Sequence, residues 1–176
     1  MIQWDFNLVF SRLYIMSKIA QLTLLAALCT ISTATTVEAQ ASIDVVGLDG
    51  RKAAIALSGL DRHTVVTADR AGIKTTHAGV ALRDVLAKAG VPLGDALKGK
   101  ALACAVIATA VDGYQVVFSI AEIDSAFNDH VILIADRRDG RPLLPDSGPL
   151  QIVVPQDTRP ARWVRQVTTV EVRQLP

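Results

Sequence analysis

Between residues 42 and 172, short runs of Val, Ile, Thr and Ala alternate with turns bearing Gly, Asp or Pro, and one segment carries strong helical periodicity. That punctuation constrains the fold more than any other feature. β-Branched side chains lose rotamer freedom in a helix and pack well on a pleated surface. Eight runs therefore read as strands: 42–46, 51–57, 63–68, 101–111, 114–120, 131–135, 150–154 and 164–172. Gly47 to Gly50 and Asp112-Gly113 supply hairpin turns, Asp139-Gly140 another turn, and 142–149 a loop. Residues 69–79 are polar, contain Gly72 and Gly79, and read as a loop as well. The clear helix is 80–89, with Val80, Leu82, Val85, Leu86 and Ala89 on one side and Arg83, Asp84 and Lys88 on the other. Gly90 is placed to cap its C-terminus, and Pro92 follows where a helix cannot continue. Residues 95–97 suit a short turn, and 121–127 a second short helix. Strands outnumber helices, so the expected class is α+β with a mainly antiparallel or mixed sheet and a few short helices.

The chain has 176 residues, half of them hydrophobic, which suits a single domain over 42–176 with a real core. A formal net charge of +1 gives no basic excess of the kind a nucleic-acid binder shows. The N-terminal part reads as an address. Residues 19–31 form an apolar run preceded by Lys18 and followed by small residues. The run is shorter than the ~20 residues a spanning helix needs. Val37-Glu38-Ala39 and Ala39-Gln40-Ala41 both suit signal peptidase, so residues 1–41 are expected to be a signal-peptide region cut after Ala39 or Ala41. An uncleaved anchor is the competing reading. Met16-Ser17-Lys18 resembles a standard start, which makes Met16 a second candidate for the initiator. The expected product is periplasmic or secreted, with no stable membrane insertion after cleavage.

Cleavage would leave Cys104 as the one cysteine of the mature chain, which excludes an internal disulfide. Cys104 falls within an apolar run and reads as a small core residue. His63 and His130 have no companions at metal-ligand spacing. Gly-x-Ser-x-Gly and Cys-x-x-Cys are both absent from the sequence.

Three stretches, in order, carry a resemblance. The first is Gly79-Val80-Ala81-Leu82-Arg83-Asp84-Val85-Leu86 with Ala89-Gly90-Val91. The second is Asp112-Gly113-Tyr114-Gln115-Val116-Val117-Phe118-Ser119-Ile120-Ala121-Glu122-Ile123. The third runs from Ile132-Leu133-Ile134-Ala135-Asp136 through Gly140-Arg141-Pro142-Leu143 and Gly148-Pro149-Leu150-Gln151-Ile152-Val153-Val154-Pro155 to Arg162-Trp163-Val164-Arg165-Gln166-Val167. Over most of residues 65–172 the chain resembles the sulfite-oxidase-type oxidoreductase molybdopterin-binding domain, including small exported relatives that bind pterins. The resemblance implies that family's fold and a pterin or molybdopterin-type ligand. Catalytic members hold molybdenum through a cysteine in the segment before the first helix. Here residues 67–78 contain none, so no molybdenum is expected.

A pterin is flat, aromatic and rich in donors and acceptors, so its site needs a stacking surface, polar edge contacts and apolar walls. Arginine forks suit an attached phosphate. Arg159, Arg162 and Arg165 flank Trp163, and this segment resembles the family's pterin-contacting stretch before the final strand. On a strand, Arg159, Trp163 and Arg165 would point one way and Arg162 the other. The alternative makes Trp163 core and the arginines a solvated edge. His77 is a candidate for a ligand edge or a surface-loop histidine, and Tyr114 a candidate for lining the cavity. Arg137 and Arg138 read as a solvated turn, with a phosphate contact as the rarer alternative. The expected function is a non-catalytic pterin-binding module, responsive to its ligand and partnered with the periplasmic part of a membrane signalling protein. The competing reading is a molybdenum-cofactor oxidoreductase with atypical metal ligation.

Overall fold

The computed structural model describes residues 41–176, so the expected signal-peptide region, its cleavage sites and the start at Met16 fall on or at the edge of residues outside that range. Among the described residues no helix is long and apolar enough to cross a membrane. The strands are β1 Ser42–Val46, β2 Lys52–Ala56, β3 Arg62–Ala68, β4 Lys74–Ala81, β5 Cys104–Ala110, β6 Gln115–Ser119, β7 Leu133–Arg138, β8 Arg141–Pro142, β9 Gln151–Val153 and β10 Val167–Gln174. The helices are α1 Leu82–Lys88 and α2 Ile120–Ile123, with 3₁₀ turns at Gly94–Ala96, Gly99–Ala103 and Pro160–Arg162.

Two five-stranded sheets result. In the first the order is β2-β1-β10-β5-β6, with β1 and β10 parallel and the other neighbours antiparallel. In the second, β3, β4 and β7 lie side by side, and β8 and β9 share the outer edge of β7. The mixed, mostly antiparallel architecture agrees with the α+β expectation. One core joins the two sheets. It takes Ile43 and Val45 from β1, Val106 and Ala108 from β5, Phe118 from β6, Val80 from β4, Ile134 from β7 and Ile152 from β9, with Leu82, Val85 and Leu86 from α1. A smaller cluster of Leu133, Ala135 and Val153 lies on the opposite face of the second sheet, because neighbours along a strand alternate. Trp163 packs against both clusters.

Local chemistry explains the boundaries. Gly90 follows α1 at φ +80°, a left-handed conformation that glycine adopts without steric cost. Ser119 and Glu122 form a reciprocal capping box on α2. Asp139 and Gly140 both have positive φ and make the tight β7–β8 turn.

Three expectations need correction. Residues 69–79 are not one loop: the turn ends at Ile73, and 74–81 form β4. Polar Thr75, Thr76 and His77 hide this strand, which lies between β3 and β7 and is hydrogen-bonded on both sides. The helix begins at Leu82, since Val80 and Ala81 belong to β4 and the Leu82 N–H donates to the Ile132 carbonyl. The last strand begins at Val167, and the segment before it turns through Pro160–Arg162, with Gln166 at positive φ. Strand alternation therefore does not set the directions of Arg159, Arg162, Trp163 and Arg165.

Candidate functional site

A cleft of about 1190 Å³ opens beside the second sheet, on the face that carries the smaller apolar cluster. Its walls come from the β3–β4 turn, the β5–β6 turn, the loop at 146–147 and the segment 157–165. Asp69 holds the first of these by accepting the N–H groups of Ala71 and Ile73 at 2.9 and 2.8 Å. Asp112 holds the second by accepting the Tyr114 N–H at 2.9 Å. The Tyr114 hydroxyl then donates to the Ala161 carbonyl at 2.6 Å, which ties the second turn to the 157–165 segment. These carboxylates serve local turns, where short polar side chains replace missing backbone partners.

Of the six residues singled out from the sequence, His77, Tyr114, Arg159, Trp163 and Arg165 line this cleft. Trp163 is half-buried, and its indole N–H donates to the Val154 carbonyl at 3.0 Å. The His77 ring meets it edge-on, with centroids 5.4 Å apart and planes at 86°. His77 is not on a surface loop. It lies within β4 and is 3% exposed, and its Nδ1 has no hydrogen-bond partner among the described residues. Arg70, Arg159 and Arg165 line the cleft, are exposed, and form no ion pair or hydrogen bond among the described residues. Arg138 lines it too, at the end of β7.

The sixth residue, Arg162, is held elsewhere. Its guanidinium donates to Asp157 at 2.7 and 2.9 Å and to Glu122 at 3.2 and 3.3 Å, and sits 5.2 Å from the Phe118 ring centroid. The hydrogen bond to Asp157, and then those to Glu122, raise its pKa against the opposing effect of burial. Arg162 therefore clamps the cleft-forming segment to α2 rather than facing the cleft. Replacing it by Lys keeps the charge and loses the fork geometry. The expected cost is about 1 kcal/mol, the upper end for a partly exposed network. Urea denaturation checks this, and an unchanged midpoint would show that the fork geometry contributes nothing beyond the charge.

Burial, and then the Arg138 charge, lower the His77 pKa below the ordinary 6.5, with Asp139 opposing more weakly. The fold thus favours the neutral ring. As pH falls through about 6.5 the unfolded chain takes up the proton first, so stability contributed by neutral His77 is complete above that pH. It is lost as pH drops from about 6.5 toward the lowered folded value. The expected result is a urea midpoint that falls between about pH 7.5 and 5.5 in the parent, and falls less in His77→Gln. Equal slopes would remove His77 as the cause.

Sequence reasoning passed over Gln151, which is 8% exposed and lines the same cleft. Its signal was faint, a lone amide at the head of an apolar run. Arg70 was likewise passed over as part of a loop.

These residues supply an aromatic wall, neutral polar groups on the strands and exposed guanidiniums, beside aspartates already held in local hydrogen bonds. That set fits the planar, donor-rich organic part of a molybdopterin cofactor. It does not supply a thiolate: Cys104 is buried on β5, in the other sheet, and is absent from the cleft wall. No group of three or more His, Cys, Asp or Glu among the described residues is placed to hold a metal ion.

Comparison with known proteins adds three findings. The family model described as the oxidoreductase molybdopterin binding domain matches residues 26–176. No curated protein matches the chain at a significant level. Among solved structures, the chain is similar to the sulfane dehydrogenase SoxCD from Paracoccus pantotrophus, at 17% identity and a TM-score of 0.56. The match covers 75% of this chain and 38% of that one, so the likeness is one of fold over part of a longer protein.

Proposed function

The chain belongs to the oxidoreductase molybdopterin-binding domain family, and from that premise we propose that it is an exported, non-catalytic module that binds a pterin-type ligand in the cleft beside Trp163. One observation carries the reading. The cleft joins a half-buried indole, a buried imidazole with a free Nδ1 and exposed arginines, yet no thiolate lines it. Molybdenum is best held by soft sulfur donors, and this set offers nitrogen and oxygen. The indole and imidazole favour an aromatic ring, and the arginines favour an anionic substituent such as phosphate.

The same reading makes the protein a ligand-responsive partner of the periplasmic part of a membrane signalling protein. Exposed Ile73, Val111 and Leu144 lie in or beside the loops that wall the cleft, which suits an interface able to sense the ligand. Such a role requires the loaded and empty forms to differ in affinity for that partner, and equal affinities would remove it.

The test is mass spectrometry and elemental analysis of the full chain purified from its native compartment. A co-purifying pterin without stoichiometric metal is expected. Stoichiometric molybdenum would replace this reading with an oxidoreductase of unusual ligation. No pterin on the purified chain, and no rise in melting temperature on adding pterins, would sink it.

A further inference from the structure

Gln151 opens β9, is 8% exposed, and its carboxamide makes no hydrogen bond among the described residues. Its amide opens on the cleft rather than being sealed in the core, so its donor and its acceptor are both available to a ligand. The register locates this one. Gln151 pairs with Ala135, and Ala135 pairs with Gly79 on β4. Residues paired across strands share a face, and His77 lies two residues before Gly79, so Gln151 and His77 emerge on the same side of the sheet. Both line the cleft: His77 keeps an Nδ1 without a partner, and the Gln151 carboxamide has no protein partner among the described residues. The charged groups without partners, Arg70, Arg159 and Arg165, belong to exposed residues of its walls. The strands thus present an amide and an imidazole side by side, with Arg138 at the end of β7, while the three exposed guanidiniums stand in the surrounding walls.

We propose that Gln151 determines specificity in this cleft by reading an uncharged lactam edge, a ring carbonyl beside a ring N–H, with His77 taking a neighbouring polar atom. A carboxamide suits that edge because it presents one donor and one acceptor side by side: its NH₂ donates to the ring carbonyl and its oxygen accepts from the ring N–H. Neither a carboxylate nor a guanidinium does both. The inference rests on the pterin reading above and narrows it. The heterocycle enters with its amide-like edge toward β9 and β4, and anionic substituents remain with the exposed arginines.

The test uses the purified full chain and two probes, pterin and its 4-methoxy analogue, in which O-methylation removes the ring N–H and caps the carbonyl. Fluorescence titration of the parent is expected to favour pterin by roughly tenfold or more, the equivalent of one or two well-placed hydrogen bonds. Gln151→Leu, of similar volume, is expected to lose roughly that factor for pterin and to bind the two probes about equally. Melting temperature verifies folding, and Gln151→Met is read in the same way if the Leu variant is unstable. Equal binding of both probes by the parent, or a preference that survives in the variant, overturns the inference and leaves pterin binding standing. Failure of the parent to bind either probe overturns both.

Discussion

Replacing Trp163 by Ala is expected to abolish pterin binding and to lower stability by about 3 kcal/mol, the low end for deleting a large aromatic because this one is half-buried. Two separate losses combine. The indole packs against both apolar clusters, and its N–H satisfies the Val154 carbonyl. Its removal also takes away the wall that His77 meets edge-on. Trp163→Phe separates the effects: it keeps an aromatic face and leaves the Val154 carbonyl with the Asp157 N–H as its remaining donor, at a cost of about 1 kcal/mol or less with binding largely retained. Urea denaturation and pterin titration on both variants give the two numbers. A folded Ala variant with unchanged affinity would place the ligand elsewhere.

Gly79→Ala is the second large effect. Gly79 has an ordinary backbone conformation, so the requirement for glycine is one of space. A Cβ here would strike the Ile134 carbonyl oxygen and lie 2.7 Å from the Ala135 Cα. Those are backbone atoms of the paired strand β7 and cannot rotate away. The strands must separate at the point where their register already shifts, between Ala78 and Gly79. Overpacking of this kind costs about 3 kcal/mol, the upper part of the usual range. The expected readout is a melting temperature lowered by on the order of 10 °C, with weakened pterin binding because His77 and Gln151 flank the disturbed pair. A variant as stable as the parent would mean that the β4–β7 approach has slack the structure does not show.

Much of the architecture was legible in residue order. The runs at 42–46, 104–110 and 115–119 lie inside the segments read as strands, and Gly90 ends α1 in the expected way. The three ordered stretches pointed to the family that the model match over residues 26–176 supports. β4 was missed because its threonines and histidine do not alternate clearly between apolar and polar. Arg162 was grouped with Arg159 and Arg165 because the three are close in sequence. Its partners are Asp157, five residues earlier, and Glu122, forty residues away, and only the fold of the 157–165 segment turns the guanidinium toward them rather than toward the cleft.

The amino-acid order by itself determined the punctuation of strands and turns, the family, and the position of the arginine-flanked indole near the C-terminus. These depend on rotamer preference, turn chemistry and spacing, which act over a few residues. Tertiary structure alone decided that residues 74–81 form an inner strand, that Arg162 is turned to Asp157 and Glu122, and that Gln151 and His77 face one cleft. Such outcomes follow from which strands pair and which faces they bury, and pairing between segments far apart in sequence is chosen by the packing of the whole core.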